Sequence, residues 1–404
     1  MSQFFLPHSF FPSTIQMMKI KKLTPEVVKD KIVLIRMDYN VPRKEGKVAE
    51  NTRIIESLPT IQFLIDNGAK QIHILTHVGR PKGQVVSELS TKFLIPELEK
   101  QFGESVEFRS EYTAGGARIQ LHENVRFRPE EKTNEPNFPQ EILDGIKPDV
   151  FVLEGFAVAH RPQASVIGFS GRIPCYPGFG IEKEIEHLSP FLSEEKIEGL
   201  TVIVGGVKME TKVAVLQHFA KIADNIIIGG ALCNTFLVAQ GYEVGESLYE
   251  DAELDRAMEV MEVADAHGTA IHNPIDVVCA DSLDAIESTV VPIEDVMGDM
   301  KILDIGPHAV ASFKEIIAHS KVVIWNGPVG LFEKDLFANG TRELSEAVAA
   351  NKDAKTILGG GDTLGALKRF NVAKSEFTHV STGGGAMLEF LEGKKLPGIE
   401  ILKD

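Results

Sequence analysis

The sequence predicts an α/β protein made of two doubly wound (Rossmann-like) parallel-sheet domains joined by a hinge. Three observations carry that prediction. Short β-branched apolar runs alternate with helix-length amphipathic stretches along the chain, and parallel strands are the ones that need such crossovers. At 404 residues, 43% of them hydrophobic, the chain is too long for one core and suits two domains of about 200 residues each. A Pro/Gly-rich segment containing Pro174, Pro177, Gly178 and Gly180 breaks the pattern near the middle. The expected domains are therefore residues 1–186 and residues 187–386.

In the first half the predicted strands are Ile32–Met37, Gln71–Thr76, Arg118–Leu121 and Val150–Leu153, with a helix over Thr52–Asn67 among the segments between them. They run into Asp38, His77, Glu123–Asn124 and Glu154. A further helix is expected over Ile181–Leu188. In the second half the strands are Thr201–Val204, Asn225–Ile228, Lys321–Trp325, Thr356–Leu358 and Thr378–Ser381, and each is followed by glycine within two residues. Doubly wound sheets bind ligands beyond the carboxyl ends of their strands, so the residues after each strand are the first candidates for chemistry.

Composition removes several function classes. The net charge of −16 argues against a nucleic-acid binder. That charge is unevenly divided: residues 1–185 hold 24 Lys+Arg against 23 Asp+Glu and residues 186–404 hold 18 against 35, so +1 and −17 sum to −16. No apolar run approaches the roughly 20 residues that cross a bilayer, and the first residues lack the pattern of a secretory signal and any arginine of a mitochondrial one. Residues 1–17, ahead of Met18, read as a loose extension with no assigned function. Cys175, Cys233 and Cys279 are widely spaced and imply neither disulfides nor zinc, which points to a reducing cytoplasm.

Glycine at a strand-to-helix turn lets backbone N–H groups approach a phosphate, and the helix dipole adds to the attraction. Gly205-Gly206, Gly229-Gly230, Gly327, Gly359-Gly360-Gly361 and Gly383-Gly384-Gly385 all stand in that position. Glycine there is also the ordinary way to pack a helix tightly on a sheet, so one such turn says little; five on one edge describe a polyanion site. If a helix begins near Lys208, the spacing puts Lys208 and Lys212 on one face. Asp362 and Thr363 offer a carboxylate for a hard cation and a hydroxyl beside N–H donors, as a magnesium nucleotide needs.

Seven segments then stand in one order: Val33-Leu-Ile-Arg-Met-Asp-Tyr-Asn-Val-Pro42, Thr76-His-Val-Gly-Arg-Pro81, Glu123-Asn-Val-Arg-Phe127, Ala159-His-Arg161, Trp325-Asn-Gly-Pro328 with Phe332-Glu333, Gly359-Gly-Gly-Asp-Thr363 and Ser381-Thr-Gly-Gly-Gly385. Together they resemble the phosphoglycerate kinase family from about residue 19 to residue 404. The resemblance implies phosphoryl transfer between ATP and 3-phosphoglycerate, with magnesium and ATP or ADP as cofactors and small molecules as the only partners of a monomer. In the first domain it places Asp38 and Asn40 at the hydroxyl and carboxyl end of phosphoglycerate, and Arg53, His77, Arg80, Arg126 and Arg161 in a basic patch around its charges. In the second it places Gly229 and Gly230 at the adenine, Glu333 at the ribose and Asn326 near the phosphates.

By the same resemblance Lys208 and Lys212 neutralise phosphate oxygens, Asp362 holds magnesium, and Gly360, Gly361, Thr363, Gly383 and Gly384 close the phosphate cradle. Arg53, Lys212, Gly361 and Gly384 are the expected catalytic positions, and residues 387–404 are expected to return to the first domain. Two stretches depart from the family: Leu153-Glu-Gly-Phe-Ala-Val158 before Ala159-His-Arg161, and Thr211 where an acid often precedes the second lysine. The alternatives are a kinase acting on another small carboxylate and, favoured only by the altered 153–158 segment, a catalytically silent binding protein of the same fold.

Overall fold

Strand β1 (Ile32–Arg36) has four aliphatic residues and is buried from Val33 onward, as a strand covered on both faces must be. The computed structural model describes residues 18–403, so the extension at residues 1–17 lies outside the described residues. Strands β2 (Gln71–Leu75), β3 (Val106–Arg109), β4 (Ile119–His122), β5 (Val150–Leu153) and β6 (Cys175–Pro177) join β1 in one parallel sheet, in the order β3-β4-β2-β1-β5-β6. The winding direction reverses between β1 and β5. Across that point the backbone N–H groups of Glu154 and Gly155 both donate to the carbonyl of Arg36, at 3.0 and 3.1 Å.

The helix Thr52–Asp66 covers one face of this sheet with Ile54, Ile61 and Leu64, which join Val33, Ile35, Ile72 and Ile74 in a common core. Among the described residues, backbone packing groups 18–189 and 394–403 into one compact unit and Pro190–Gly393 into another. The terminal segment is tied to the first unit by two backbone bonds, Lys21 N–H to Leu402 O at 2.9 Å and Gly398 N–H to Ala159 O at 2.8 Å.

In the second unit β7 (Leu200–Val204), β8 (Asn225–Ile228) and β9 (Ala270–His272) begin a second parallel sheet. The chain then leaves it for β10 (Asp276–Ala280), β11 (Thr289–Pro292) and β12 (Lys301–Ile305), an antiparallel sheet in the order β11-β10-β12 that the alternating pattern does not predict. β11 is exposed or half-exposed at every position, and its Val290-Val291 pair is too short to mark a covered strand. Strands β13 (Val322–Asn326), β14 (Lys355–Gly359) and β15 (His379–Val380) complete the parallel sheet, in the order β9-β8-β7-β13-β14-β15, with its reversal between β7 and β13. One local expectation fails. The helix after β7 spans Val213–Ile222 and does not begin near Lys208; Lys212 is its N-cap and Lys208 stands in the preceding loop.

The departed segment in the first unit has a clear structural use. Glu154 is buried, its carboxyl accepting from the Thr60 hydroxyl at 2.8 Å and from the Gly180 N–H at 3.1 Å, at the start of the helix Phe179–Leu188. Burial pushes its pKa up to about 8, so the side chain is mostly protonated at neutral pH and acts as a neutral polar link. On the other side of the sheet His73 and His122, on neighbouring strands, stack with ring centroids 5.2 Å apart and share a 3.0 Å hydrogen bond between Nδ1 and Nε2.

These groups give opposite pH dependences. Burial lowers the pKa of His73 to about 3 and of His122 to about 4, so between pH 6.5 and those values the unfolded chain takes up protons that the native state refuses. Stability is then lost as pH falls, by about 2 kcal/mol per histidine at pH 5. Hydrogen exchange of β4 amides at pH 7 and pH 5 measures this, and His73→Gln should reduce the loss. Glu154 works the other way: its folded value is raised, so its contribution is full below pH 4.5 and is lost as pH rises through about 8. Glu154→Gln should leave stability at about pH 4 nearly unchanged and make the unit more stable than the parent at pH 9; a Gln variant equally weakened at both would contradict the protonated link.

Candidate active site

In the first unit, the loops after β1, β2, β4 and β5 bring charge to the carboxyl edge of the sheet. Arg36, the last residue of β1, is fully buried. Its Nε donates to the Ser165 hydroxyl at 2.7 Å, its Nη1 to the Met37 carbonyl, and its Nη2 lies 3.2 Å from His77 Nδ1. Behind it Ser165 donates from Oγ at 2.7 Å and from N at 2.8 Å to the buried carboxylate of Glu131. On the other side of His77, Nε2 stands 3.9 Å from Asp38 Oδ1, and the same carboxylate accepts from the Arg53 guanidinium.

Asn40 and Arg126 are both fastened to the Gly79 turn. The Asn40 side-chain oxygen accepts from Gly79 N–H at 2.8 Å, and Arg126 Nη1 donates to Gly79 O at 2.8 Å. Asn124 holds the turn from below, capping Arg126 N–H at 3.0 Å and donating to Val78 O and Leu89 O at 2.8 Å. Arg161 contacts His160 through a 3.1 Å hydrogen bond, and Arg80 is exposed at the rim. Burial, and then the positive charges of Arg36, Arg126, Arg53 and Arg161, hold the His77 pKa well below its ordinary value. Burial first, and then Arg36 and Arg161, bring Arg126 down to about 10. Guanidinium groups packed this closely repel one another and are stabilised by an anion among them.

In the second unit the glycine turns divide into two kinds. A methyl group on Gly205 would meet Pro328 O at 2.0 Å, and one on Gly327, where φ is +96°, would meet Gly205 O at 2.3 Å. Gly229 and Gly230 are likewise filled by Val329 and by the Gly206 backbone. These four glycines let β7, β8 and β13 close against one another at the switch point. Gly206, Gly361 and Gly384 face open space, with no atom within 4 Å of an added Cβ. Backbone there is accessible to a ligand.

Asn326, at the end of β13, stands beside that open edge. Its side-chain oxygen accepts from Lys212 Nζ, whereas its Nδ2 is buried with no hydrogen-bond partner among the described residues. Desolvation lowers Lys212 to about 8 in spite of the opposing carboxylates of Asp362 and Glu392. A half-buried ammonium at the N-terminus of the helix Val213–Ile222 lies against the positive end of the helix dipole, an arrangement that an anion relieves. Thr363 is buried and its hydroxyl accepts from Gly327 N–H at 2.8 Å, so it braces the turn, while Asp362 is exposed on the first turn of the helix Gly361–Arg369.

The orphaned Asn326 amide, the desolvated Lys212 and the open Gly206, Gly361 and Gly384 backbone suit the phosphates of a nucleotide. Among the described residues no three His, Cys, Asp or Glu side chains gather as metal ligands. A magnesium ion at Asp362 would thus take most of its oxygens from phosphate and water. Lys208 and Glu333 are exposed, and the open loop around Lys208 does not align it with Lys212 on a helix face. Arg36, Ser165 and Glu131 are not among the residues the sequence pattern singles out. The available signal was a charged residue closing an otherwise aliphatic buried strand.

The phosphoglycerate kinase family model matches residues 23–394. The chain is 41% identical over 386 residues to the phosphoglycerate kinase of Thermosipho africanus (strain TCF52B), covering 92% of this chain and 95% of that protein. The structure of phosphoglycerate kinase from Coxiella burnetii superposes with a TM-score of 0.83 at 38% identity, covering 93% of this chain and 97% of the other. The phosphoglycerate kinase of Pyrococcus horikoshii OT3 superposes with a TM-score of 0.78 at 30% identity, covering 93% and 96%. With both carboxyl edges carrying the residues the motifs pick out, and with likeness of this extent, the chain belongs to the phosphoglycerate kinase family.

Proposed function

We propose that the protein moves a phosphoryl group reversibly between ATP and the carboxylate of 3-phosphoglycerate, giving ADP and 1,3-bisphosphoglycerate, a step of glycolysis and gluconeogenesis. The observation that carries this reading is the gathering of Arg36, Arg53, Arg126 and Arg161 about His77, a concentration of positive charge that a small, highly charged anion balances. Buried, unbridged Cys175, Cys233 and Cys279 fit a reducing compartment such as the cytoplasm. Among the described residues no helix is long and apolar enough to cross a membrane.

The acceptor needs no base. A carboxylic acid with a pKa near 3.5 is already ionised at neutral pH, so its oxygen forms the new bond to the γ-phosphorus directly. The γ-phosphorus bond to the bridging oxygen breaks, and ADP leaves with that electron pair. Asp38, Asn40, Arg80, Arg126 and Arg161 orient the acceptor. Arg53 and Lys212 stabilise charge on the phosphoryl oxygens, Lys212 with the strength that partial desolvation confers. Gly229 and Gly230 with Glu333 hold the nucleoside, and Lys208, Asn326, Gly360, Gly361 and Gly384 hold its phosphates. Magnesium held by Asp362 supplies further neutralisation of the phosphate charge. Because acceptor and donor sites belong to different units, reaction requires that the bound substrates be brought to near-attack distance with water kept out.

An ATP-dependent assay with 3-phosphoglycerate tests the reading, and absence of turnover would overturn it. Arg80→Ala should raise KM for 3-phosphoglycerate with little change in kcat, since a rim anchor binds substrate and transition state alike. Lys212→Ala should lower kcat by roughly 10²–10³, the usual loss for one electrostatic stabiliser. A change of less than about twofold would remove Lys212 from the catalytic group.

A further inference from the structure

A guanidinium has five N–H donors and no acceptor, whereas a neutral imidazole has one nitrogen of each kind. Arg36 Nη2 lies 3.2 Å from His77 Nδ1 in a fully buried setting. Only one pairing satisfies both groups: Arg36 donates, Nδ1 accepts, and the ring proton is on Nε2. A proton on Nδ1 would point at a charged donor and leave both hydrogens unpaired. Arg36 is itself held in place, by Ser165 at 2.7 Å, by the Met37 carbonyl, and through Ser165 by Glu131 at 2.7 Å.

We propose that Arg36 is a positioning residue that fixes His77 as the neutral Nε2–H tautomer, so that the imidazole enters the phosphoglycerate site as a hydrogen-bond donor and not as a cation. The inference rests on the acceptor-site reading above and adds to it a specific state for one member of the basic patch. Every charged group facing the ring bears on that state. Arg36 at the end of β1, Arg53 on the helix Thr52–Asp66, Arg126 after β4 and Arg161 after β5 all disfavour an imidazolium, and the carboxylate of Asp38 stands opposite, 3.9 Å from Nε2. The Asp38 carboxylate accepts from Arg53 through Oδ2, and its Oδ1, which faces Nε2, accepts from Asn40 N–H at 3.3 Å. The four arginines supply the charge that binds the anion; His77 supplies direction, a single N–H aimed across Asp38.

The proton position can be read without any substrate. In the full chain labelled with ¹⁵N-histidine, and with the His77 signals assigned by their loss in His77→Gln, the long-range ¹H–¹⁵N pattern should be that of the Nε2–H tautomer. It should stay unchanged from pH 8 to about pH 5, below the ordinary histidine value near 6.5. An Nδ1–H pattern, or an imidazolium at pH 7, would overturn the proposal even if the enzyme turns over normally. Absence of turnover with 3-phosphoglycerate alongside the expected tautomer would instead defeat the functional reading and leave the tautomer assignment standing.

Kinetics separate donor from cation. Glutamine places an amide N–H near the Nε2 position, and asparagine cannot reach it. His77→Gln should keep KM for 3-phosphoglycerate within about threefold, and His77→Asn should raise it by about 10-fold or more, the cost of losing a hydrogen bond to a charged group. The ratio of KM for the parent and His77→Gln should stay constant from about pH 6 to 8, a comparison that cancels the substrate's own ionisation. A ratio that changes with an inflection near pH 6.5 would show a titrating cation and overturn the assignment. Ser165→Ala, which leaves the Arg36 charge in place but removes one of its anchors, should let the Nδ1–H form or the imidazolium become detectable; a spectrum identical to the parent would remove Ser165 from the positioning chain.

Discussion

The acceptor side of this enzyme is organised by the need to satisfy one buried guanidinium. Arg36 has no surface in water, and an ionised group in that position is tolerated only where its donors and its charge are all answered. Ser165, the Met37 carbonyl, His77 and, through Ser165, Glu131 answer them. Each of those partners comes from a different connection following β1, β2, β4 or β5, Glu131 and Ser165 from the short helices Pro129–Thr133 and Ala164–Ile167, so satisfying Arg36 sets the relative positions of these connections. The arginines proposed to bind the acceptor stand on that frame. Arg126 is fixed to Gly79, and Arg53 to Asp38, next to the same histidine.

The second unit solves its problem with backbone in place of charge. At its switch point the turns after β7, β8 and β13 approach so closely that side chains at Gly205, Gly229, Gly230 and Gly327 have no room. That compaction pushes the accessible backbone outward, to Gly206, Gly361 and Gly384, and leaves the Asn326 amide and the Lys212 ammonium at its margin. The second unit offers N–H groups and one desolvated lysine, which suit the several charges of a nucleotide's phosphates, whereas the first offers guanidinium forks, which suit a small anion. The different solutions match the different ligands.

Much of this was legible in the chain, for identifiable reasons. The central strands are buried on both faces and so appear as apolar runs: β5 and β8 fall where the pattern predicts them, β1 and β2 each end one residue earlier, and β14 extends one residue further at both ends. Residues just beyond those strands, including Asp38, His77, Asn326 and Asp362, were legible because the fold places ligand chemistry there. Edge strands β3 and β9 and the exposed β11 lack the signal. The condition that a helix begin near Lys208 is not met because the loop there is held from a distant segment: the Glu250 carboxylate accepts from Met209 N–H and, at 3.4 Å, from Glu210 N–H. Arg36 was hidden within a strand, where a charged residue ordinarily reads as a strand end. The glycine turns looked alike in sequence, and only the distances around them separate those that pack from those left open.

The chain has a single tryptophan, and it is Trp325, fully buried in β13 with its indole N–H donating to Gly327 O at 2.6 Å. Its polar handle therefore ends on the very turn that Gly205 and Thr363 close upon. The emission of the protein under selective excitation comes from one residue in the second unit, next to the orphaned Asn326 amide, while the first unit, with its arginine cluster, is dark at that wavelength. The molecule thus carries a native optical probe of its second unit, one that needs no label and that separates events there from events in the first.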